Sequence, residues 1–189
     1  GEFFLGDERF DPRANPDATA LLQGAIACND AKLEERPDES GRRGWNIIGD
    51  PTEGAMIVAA AKSGYLQDDF AKVLPRVQEI PFDSERKRMA TIHRNNGMGA
   101  SPSGFAYPPL VAIVKGAPDV VLNLCTKYQA MNDETEKLDA KAKKRILDAN
   151  DAMTGDALRV LGLAYRVEKD VPNGEITPEQ VEKELVFVG

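Results

Sequence analysis

The chain has 189 residues, 42% of them hydrophobic and 29% charged, which suits one soluble globular domain with a sizeable core. Its formal net charge of -7 argues against a nucleic-acid partner, since neutralising a phosphate backbone needs surplus Lys and Arg; a local basic cluster can still hold a small anion. The longest apolar run, Leu110-Val111-Ala112-Ile113-Val114, is far below the length of a bilayer span, and no secretory signal opens the chain.

In chain order, the first 17 residues carry Gly, Pro and charge and are expected to be an extended lead-in. Ala18 to Ala31 has Leu21, Leu22, Ala25 and Ile26 at helical spacing. Glu34 to Gly44 is predicted to be a charged loop, and Trp45 to Ile48 a short strand. That strand runs into Gly49-Asp50-Pro51-Thr52-Glu53. There Asp50 suits an N-cap, Pro51 a first turn and Glu53 the capping-box position of a helix that stops near Gly64. Two strands follow, Arg76 to Phe82 and Arg88 to Arg94, joined by the turn Asp83-Ser84-Glu85-Arg86. In the second, Ala90 and Ile92 alternate with Met89, Thr91 and His93, so both faces are expected to be covered. Asn95 to Pro109, rich in Gly and Pro, is predicted to be a long loop.

Leu110 to Val114 is a buried-type strand, followed by Lys115-Gly116-Ala117-Pro118 and a short helix to about Leu124. Glu136 to Met153 is predicted as an amphipathic helix, Leu158 to Val167 as a strand, Pro178 to Leu185 as a helix capped by Thr177, and Val186 to Val188 as a last strand. Strands in hairpin-like pairs with helices grouped between them predict an α+β fold, a twisted, largely antiparallel sheet flanked by helices.

The chemistry begins with absences. There is no phosphate loop of the G-x-x-x-x-G-K-[ST] kind, and no H-E-x-x-H or H-R-D sequence. Gly97 and Gly99 start a G-x-G pair, but Pro102 takes the third glycine's place in a loop. Cys28 and Cys125 stand far apart and His93 is the only histidine, so a disulfide framework, a zinc site or a triad is not expected, and the metal ligands of this chain are predicted to be none. No nucleophile and base present themselves, so no catalytic residue is assigned.

Three segments carry positive signal. In Ile80-Pro81-Phe82-Asp83-Ser84-Glu85-Arg86-Lys87-Arg88-Met89 an aromatic ring lies beside a basic run, the combination that stacks a base and attracts phosphates. In Val114-Lys115-Gly116-Ala117-Pro118 a lysine leaves a buried strand next to a glycine that permits close backbone approach. The third is the helix start at Glu53. Taken singly, each has a plainer explanation: Phe82 as a core ring at a strand end, Lys115 as solvated, Glu53 as a cap, and Arg159 as a strand-edge charge.

Taken together and in order, these segments resemble the nucleotide-binding (N) domain of type II P-type ATPases, the calcium pumps and their sodium–potassium relatives. The resemblance runs through Cys28-Asn29-Asp30, Gly49 to Glu53, Ile80 to Met89, Lys115 to Pro118, Asp156 to Leu161 and Phe187-Val188-Gly189. It covers the chain from about residue 20 to its end. The wording around Phe82 is nearer to calcium-type pumps.

The resemblance implies an ATP site. Phe82 would stack on adenine, Lys115 would line the pocket, Glu53 would reach the adenine edge, and Met89 would form an apolar wall. Gly116 and Ala117 would shape the floor, and Arg159 would meet the phosphates. Calcium pumps often carry an arginine where this chain has Ser84, so phosphate contact is expected to shift to Arg86 or Lys87.

It further implies ATP as ligand, with Mg2+ in the full-length pump, and phosphorylation and actuator domains of the same parent chain as partners. It places the domain on the cytoplasmic side of a membrane, without direct membrane contact, and the fragment is expected to be monomeric. The family's Asp-Lys-Thr-Gly-Thr segment is absent here, so residues 1–189 are expected to be a single excised domain, with 1–17 and 186–189 as hinge edges, that holds ATP without splitting it. Two rivals stand beside this reading: a self-contained phosphotransferase or nucleotide hydrolase, and a protein-interaction module without nucleotide binding.

Overall fold

The computed structural model describes residues 2–37, 41, 43–97, 107–130, 134–171 and 174–189. The lead-in forms a hairpin of β1 (Phe3–Leu5) and β2 (Glu8–Phe10), then a 3-10 turn over Pro12–Ala14. Helix α1 (Pro16–Ala27) starts where the Asn15 side chain accepts from Ala18 N–H and Pro16 takes the first position. It ends four residues before the expected Ala31.

The charged stretch after it is largely a hairpin. Strands β3 (Lys32–Pro37) and β4 (Arg43–Ile48) pair antiparallel, with residues 38–40 and 42 outside the described set. The composition concealed this, because a two-stranded ribbon outside the main sheet carries charge on both faces. Helix α2 (Pro51–Lys62) follows, with the Asp50 side chain accepting from Thr52 and Glu53 N–H. A further helix, α3 (Gln67–Val73), has no side-chain cap and no fully buried residue, so neither start signal nor periodicity announces it.

The central element is a seven-stranded sheet of β5 (Arg76–Asp83), β6 (Arg88–Arg94), β7 (Leu110–Gly116), β10 (Gly162–Val167), β11 (Leu185–Phe187), β8 (Cys125–Gln129) and β9 (Thr135–Lys137), in that spatial order. Every neighbouring pair is antiparallel except β11 with β8. Of the loop expected at 95–109, residues 98–106 lie outside the described set. Strands β8 and β9 were not anticipated, and β9 takes the residues assigned to the start of the long helix. That helix, α5 (Ala140–Gly155), begins instead at Asp139, whose side chain accepts from Ala142 N–H. Helix α4 (Pro118–Asn123) stands where expected. Helix α6 (Pro178–Val181) is shorter than expected, because Leu185 is drawn into the sheet.

Alternation along the strands divides the core in two. Ala90, Ile92, Ala112, Val114 and Ala164 face α4 and α5, with Val121 and Leu122 among the buried residues there. Met89, Val111, Ile113 and Leu163 face the other way, toward Ala20 and Ala27 of α1 and Leu74 at the end of α3. Strand β6 is therefore covered on both sides, as its mixed pattern predicts. Among the described residues no helix is long and apolar enough to cross a membrane.

Candidate functional site

The candidate residues converge on one end of the β5–β6–β7 strip. Register sets the row: Met89 of β6 lies opposite Lys115 of β7, which lies opposite Leu163 of β10. In β5, Phe82 falls between Ile80, opposite Ala90, and Asp83, opposite Arg88, and so stands beside Met89. The register is irregular at that point, which frees the strand end from the pleat.

Lys115 is only 4% exposed. Its Nζ lies 2.6 Å from Glu53 Oε1, and Glu53 Oε2 accepts from Asp30 N–H at 3.0 Å and Ala31 N–H at 3.1 Å. A lysine this deep requires such a partner, because an unpaired buried ammonium is costly. Glu53 was expected to close a capping box. Instead it is turned from its own helix end toward α1's outgoing loop, where two backbone donors and an ammonium converge. Asn29 locks the same loop: its Nδ2 donates to Ala25 O and Glu53 O, each at 3.1 Å, and its Oδ1 accepts from Ala31 N–H at 3.0 Å. Arg76 adds a bond from Nη1 to Asp30 Oδ1 at 2.7 Å and one from Nη2 to Asn29 O at 2.8 Å. No role was assigned to Asn29, Asp30 or Arg76 from sequence; the only signal was the Cys28-Asn29-Asp30 wording.

The Asp83-to-Lys87 turn is tightly built. Asp83 Oδ1 accepts from Arg86 N–H at 2.7 Å, and Asp83 O accepts from Lys87 N–H at 2.7 Å. Lys87 adopts φ 53°, in the left-handed region that L-residues seldom occupy. Its carbonyl accepts from Ala117 N–H at 3.0 Å, joining the turn to the end of β7. Gly116 makes that approach possible: a Cβ there would lie 2.4 Å from Lys87 O and 2.5 Å from Arg88 Cβ.

Phe82 does not fill the core, contrary to the packing explanation: it is 62% exposed. Met89, 1% exposed, lies inside the cluster beneath this surface. The Arg86 guanidinium is taken up by Glu182, Pro81 O and Arg88 O, whereas Lys87 is exposed. Arg159 is exposed near the start of α2. The Asp50 carboxyl there is held below its ordinary range, first by the backbone N–H of Glu53, then by bonds from Thr52, with the Arg159 charge a lesser contribution. The structure thus gathers Glu53, Met89, Lys115, Gly116 and Ala117 around the β7 end, with the Phe82–Lys87 turn alongside and Arg159 at the α2 flank.

This surface offers an exposed ring, cationic groups and a half-buried carboxylate. Among the described residues no cluster of three or more His, Cys, Asp or Glu side chains is arranged to hold a metal ion. Cys28 lies beneath Met89, and burial pushes its thiol up, with Lys115 opposing. His93 is neutral near pH 7, its pKa lowered to about 4 by burial.

Residues 17–189 match the family described as P-type ATPase, cytoplasmic domain N. Calcium-transporting ATPase 1 of Lactococcus lactis is 30% identical over 184 residues, 97% of this chain and 18% of that protein. Probable cation-transporting ATPase F of Mycobacterium tuberculosis is 39% identical over 154 residues, 82% of this chain and 15% of the relative. Cation-transporting ATPase pma1 of a Synechocystis strain is 31% identical over 169 residues, 89% of this chain and 16% of its own length. The chain therefore spans less than a fifth of the relatives it matches.

Proposed function

The chain belongs to the cytoplasmic N domains of P-type ATPases, and from that premise we propose that it holds ATP for phosphoryl transfer to an aspartate in a separate phosphorylation domain of the same parent protein. The observation that carries this reading is the position of Phe82. A large ring left 62% exposed at a strand end, beside a buried Met89–Lys115 row, presents a flat apolar face suited to stacking on a base.

In this reading adenine lies on Phe82, and Glu53 and Lys115 meet its edge from the β7 side. Met89 adds an apolar wall, and Gly116 and Ala117 shape the floor. Lys87 and Arg159 supply the positive charge that draws the phosphates, and Mg2+ travels with those phosphates in the full-length pump. No nucleophile is assigned to this chain. Its contribution is positioning, which supplies much of the acceleration in phosphoryl transfer. The parent transports a cation, as its relatives' names describe for them, with a lean toward calcium, from the cytoplasmic face of a membrane. The phosphorylation and actuator domains of the same parent chain are its partners.

Stacking is worth roughly 1–3 kcal/mol per base, so the separate domain binds ATP weakly, with Kd on the order of millimolar. The test is an ATP titration followed by NMR or calorimetry. Saturable binding that Phe82→Ala abolishes, with no phosphate released on long incubation, is the expected result. Turnover by the purified chain would instead favour a self-contained hydrolase. Indifference to ATP would favour an interaction module.

A further inference from the structure

Glu182 follows α6 and is distant in sequence from the Phe82–Lys87 turn, yet its side chain is 1% exposed and receives two arginines, Arg86 of that turn and Arg88 at the start of β6. Arg86 Nη1 lies 2.5 Å from Glu182 Oε1, and Arg88 Nε lies 2.6 Å from Glu182 Oε2. Both guanidinium groups then fold back on the turn. Arg86 Nη2 donates to Pro81 O at 3.1 Å and Arg88 O at 3.3 Å, and Arg88 Nη1 donates to Arg86 O at 3.0 Å.

One carboxylate therefore bridges two neighbouring cations that would otherwise repel, and holds them where they satisfy three carbonyls of the turn and its flanking strand ends. On the opposite side the turn is held by the Ala117 N–H bond to Lys87 O. Phe82 has little packing to fix its own ring. Its placement depends on the backbone on either side of it, and that backbone is held by Glu182 through the arginines.

We propose that Glu182 is a positioning residue for nucleotide binding, and that Arg86 acts through it to aim the Phe82 platform and does not itself contact phosphate. This rests on the reading of Phe82 as the adenine platform. Pre-organisation of this kind works because a platform left loose must be ordered by the ligand at the ligand's expense.

The experiment is a double-mutant cycle with Glu182→Gln and Arg86→Gln in the 189-residue chain, titrated with ATP and separately with adenosine. Each single change is expected to weaken both ligands by a similar factor, roughly three- to tenfold. The double variant is expected to be no weaker than the worse single, and the amides of Lys87 and Ala117 to exchange faster with solvent. A folded Glu182→Gln chain that binds both ligands like the parent overturns the proposal, as does strict additivity. So does an Arg86→Gln chain that loses affinity for ATP and keeps it for adenosine, the signature of a direct phosphate contact. If Glu182→Gln does not fold, Arg86→Gln decides by that ATP-to-adenosine comparison, since it leaves Glu182 paired with Arg88. A parent that ignores ATP, or a Phe82→Ala variant that binds as the parent does, brings down the ATP reading itself and the proposal with it; a failure at Glu182 alone leaves that reading standing.

Discussion

Lys115 and Glu53 join the central sheet to the start of α2 through one near-buried ion pair, 2.6 Å from Nζ to Oε1. The two lie on elements far apart in sequence, and each has the other as its charged partner. Glu53 is additionally held by Asp30 and Ala31 N–H.

Breaking this pair is expected to cost stability as well as affinity. Lys115→Met leaves a half-buried carboxylate with only backbone donors, and Glu53→Gln leaves a buried ammonium without its counter-charge. Either is expected to destabilise the domain by about 3 kcal/mol. The double variant is expected to lose less than the sum, because the second change removes the orphan left by the first. Urea unfolding of the four proteins checks this. Additive losses would show that the two groups are independent.

The Phe82 ring carries no such structural load. Phe82→Leu is expected to unfold within about 0.5 kcal/mol of the parent while losing most ATP affinity, and Phe82→Trp to retain it, since stacking needs a flat π face. Paired thermal melts and ATP titrations test this; a leucine variant that binds as well as tryptophan would reduce the ring to a generic apolar contact.

Gly116→Ala is expected to disturb the site through backbone alone. The added Cβ would meet Lys87 O at 2.4 Å and the backbone-proximal atoms of Arg88, none of which can rotate aside. The expected loss is roughly 1–3 kcal/mol of stability, with shifts of the Lys87 and Ala117 amides in NMR spectra. Unchanged amides would mean that the turn has more room than the static structure shows.

His93 makes stability depend on pH. Its Nδ1 donates to Leu74 O at 2.9 Å and its Nε2 accepts from the Thr91 hydroxyl at 2.8 Å, so the buried ring is suited to its neutral form. The folded pKa of about 4 lies below the ordinary 6.5. Above 6.5 both states are neutral and the ring contributes no pH dependence. As pH falls from 6.5 to 4 the unfolded chain takes up a proton that the folded one refuses, and stability drops by roughly 3 kcal/mol before levelling. His93→Gln is expected to flatten that portion of the curve; an unchanged slope between pH 6.5 and 4 would assign it to carboxylates.

Both thiols are expected to resist alkylation in the native state. Burial pushes Cys125 up to about 12 and raises Cys28 as well. Iodoacetamide labelling at pH 8 is expected to be slow without urea and complete with it. Rapid native labelling of either cysteine would indicate local opening.

The sequence by itself determined the fold class, the sheet's strong interior strands, the helix starts at Asp50 and Thr177, and the membership that the Ile80–Met89 and Lys115–Pro118 wording announces. These are legible because apolar alternation, caps and short motifs are local properties of the chain. Elements without such signals were lost: β3, which pairs with the strand expected at Trp45–Ile48, the uncapped α3, and the short strands β8 and β9, whose pairing depends on partners remote in sequence.

The same division runs through the site. Sequence order brought Phe82, Lys115 and Glu53 onto one candidate surface, but could not tell a core ring from an exposed one, or a helix cap from the counter-charge of a buried lysine. Nor could it show that Arg86 meets Glu182, since two residues 96 positions apart carry no local mark of their contact. Tertiary structure decided those points, because burial and charge pairing arise only when strands and helices have been packed against one another.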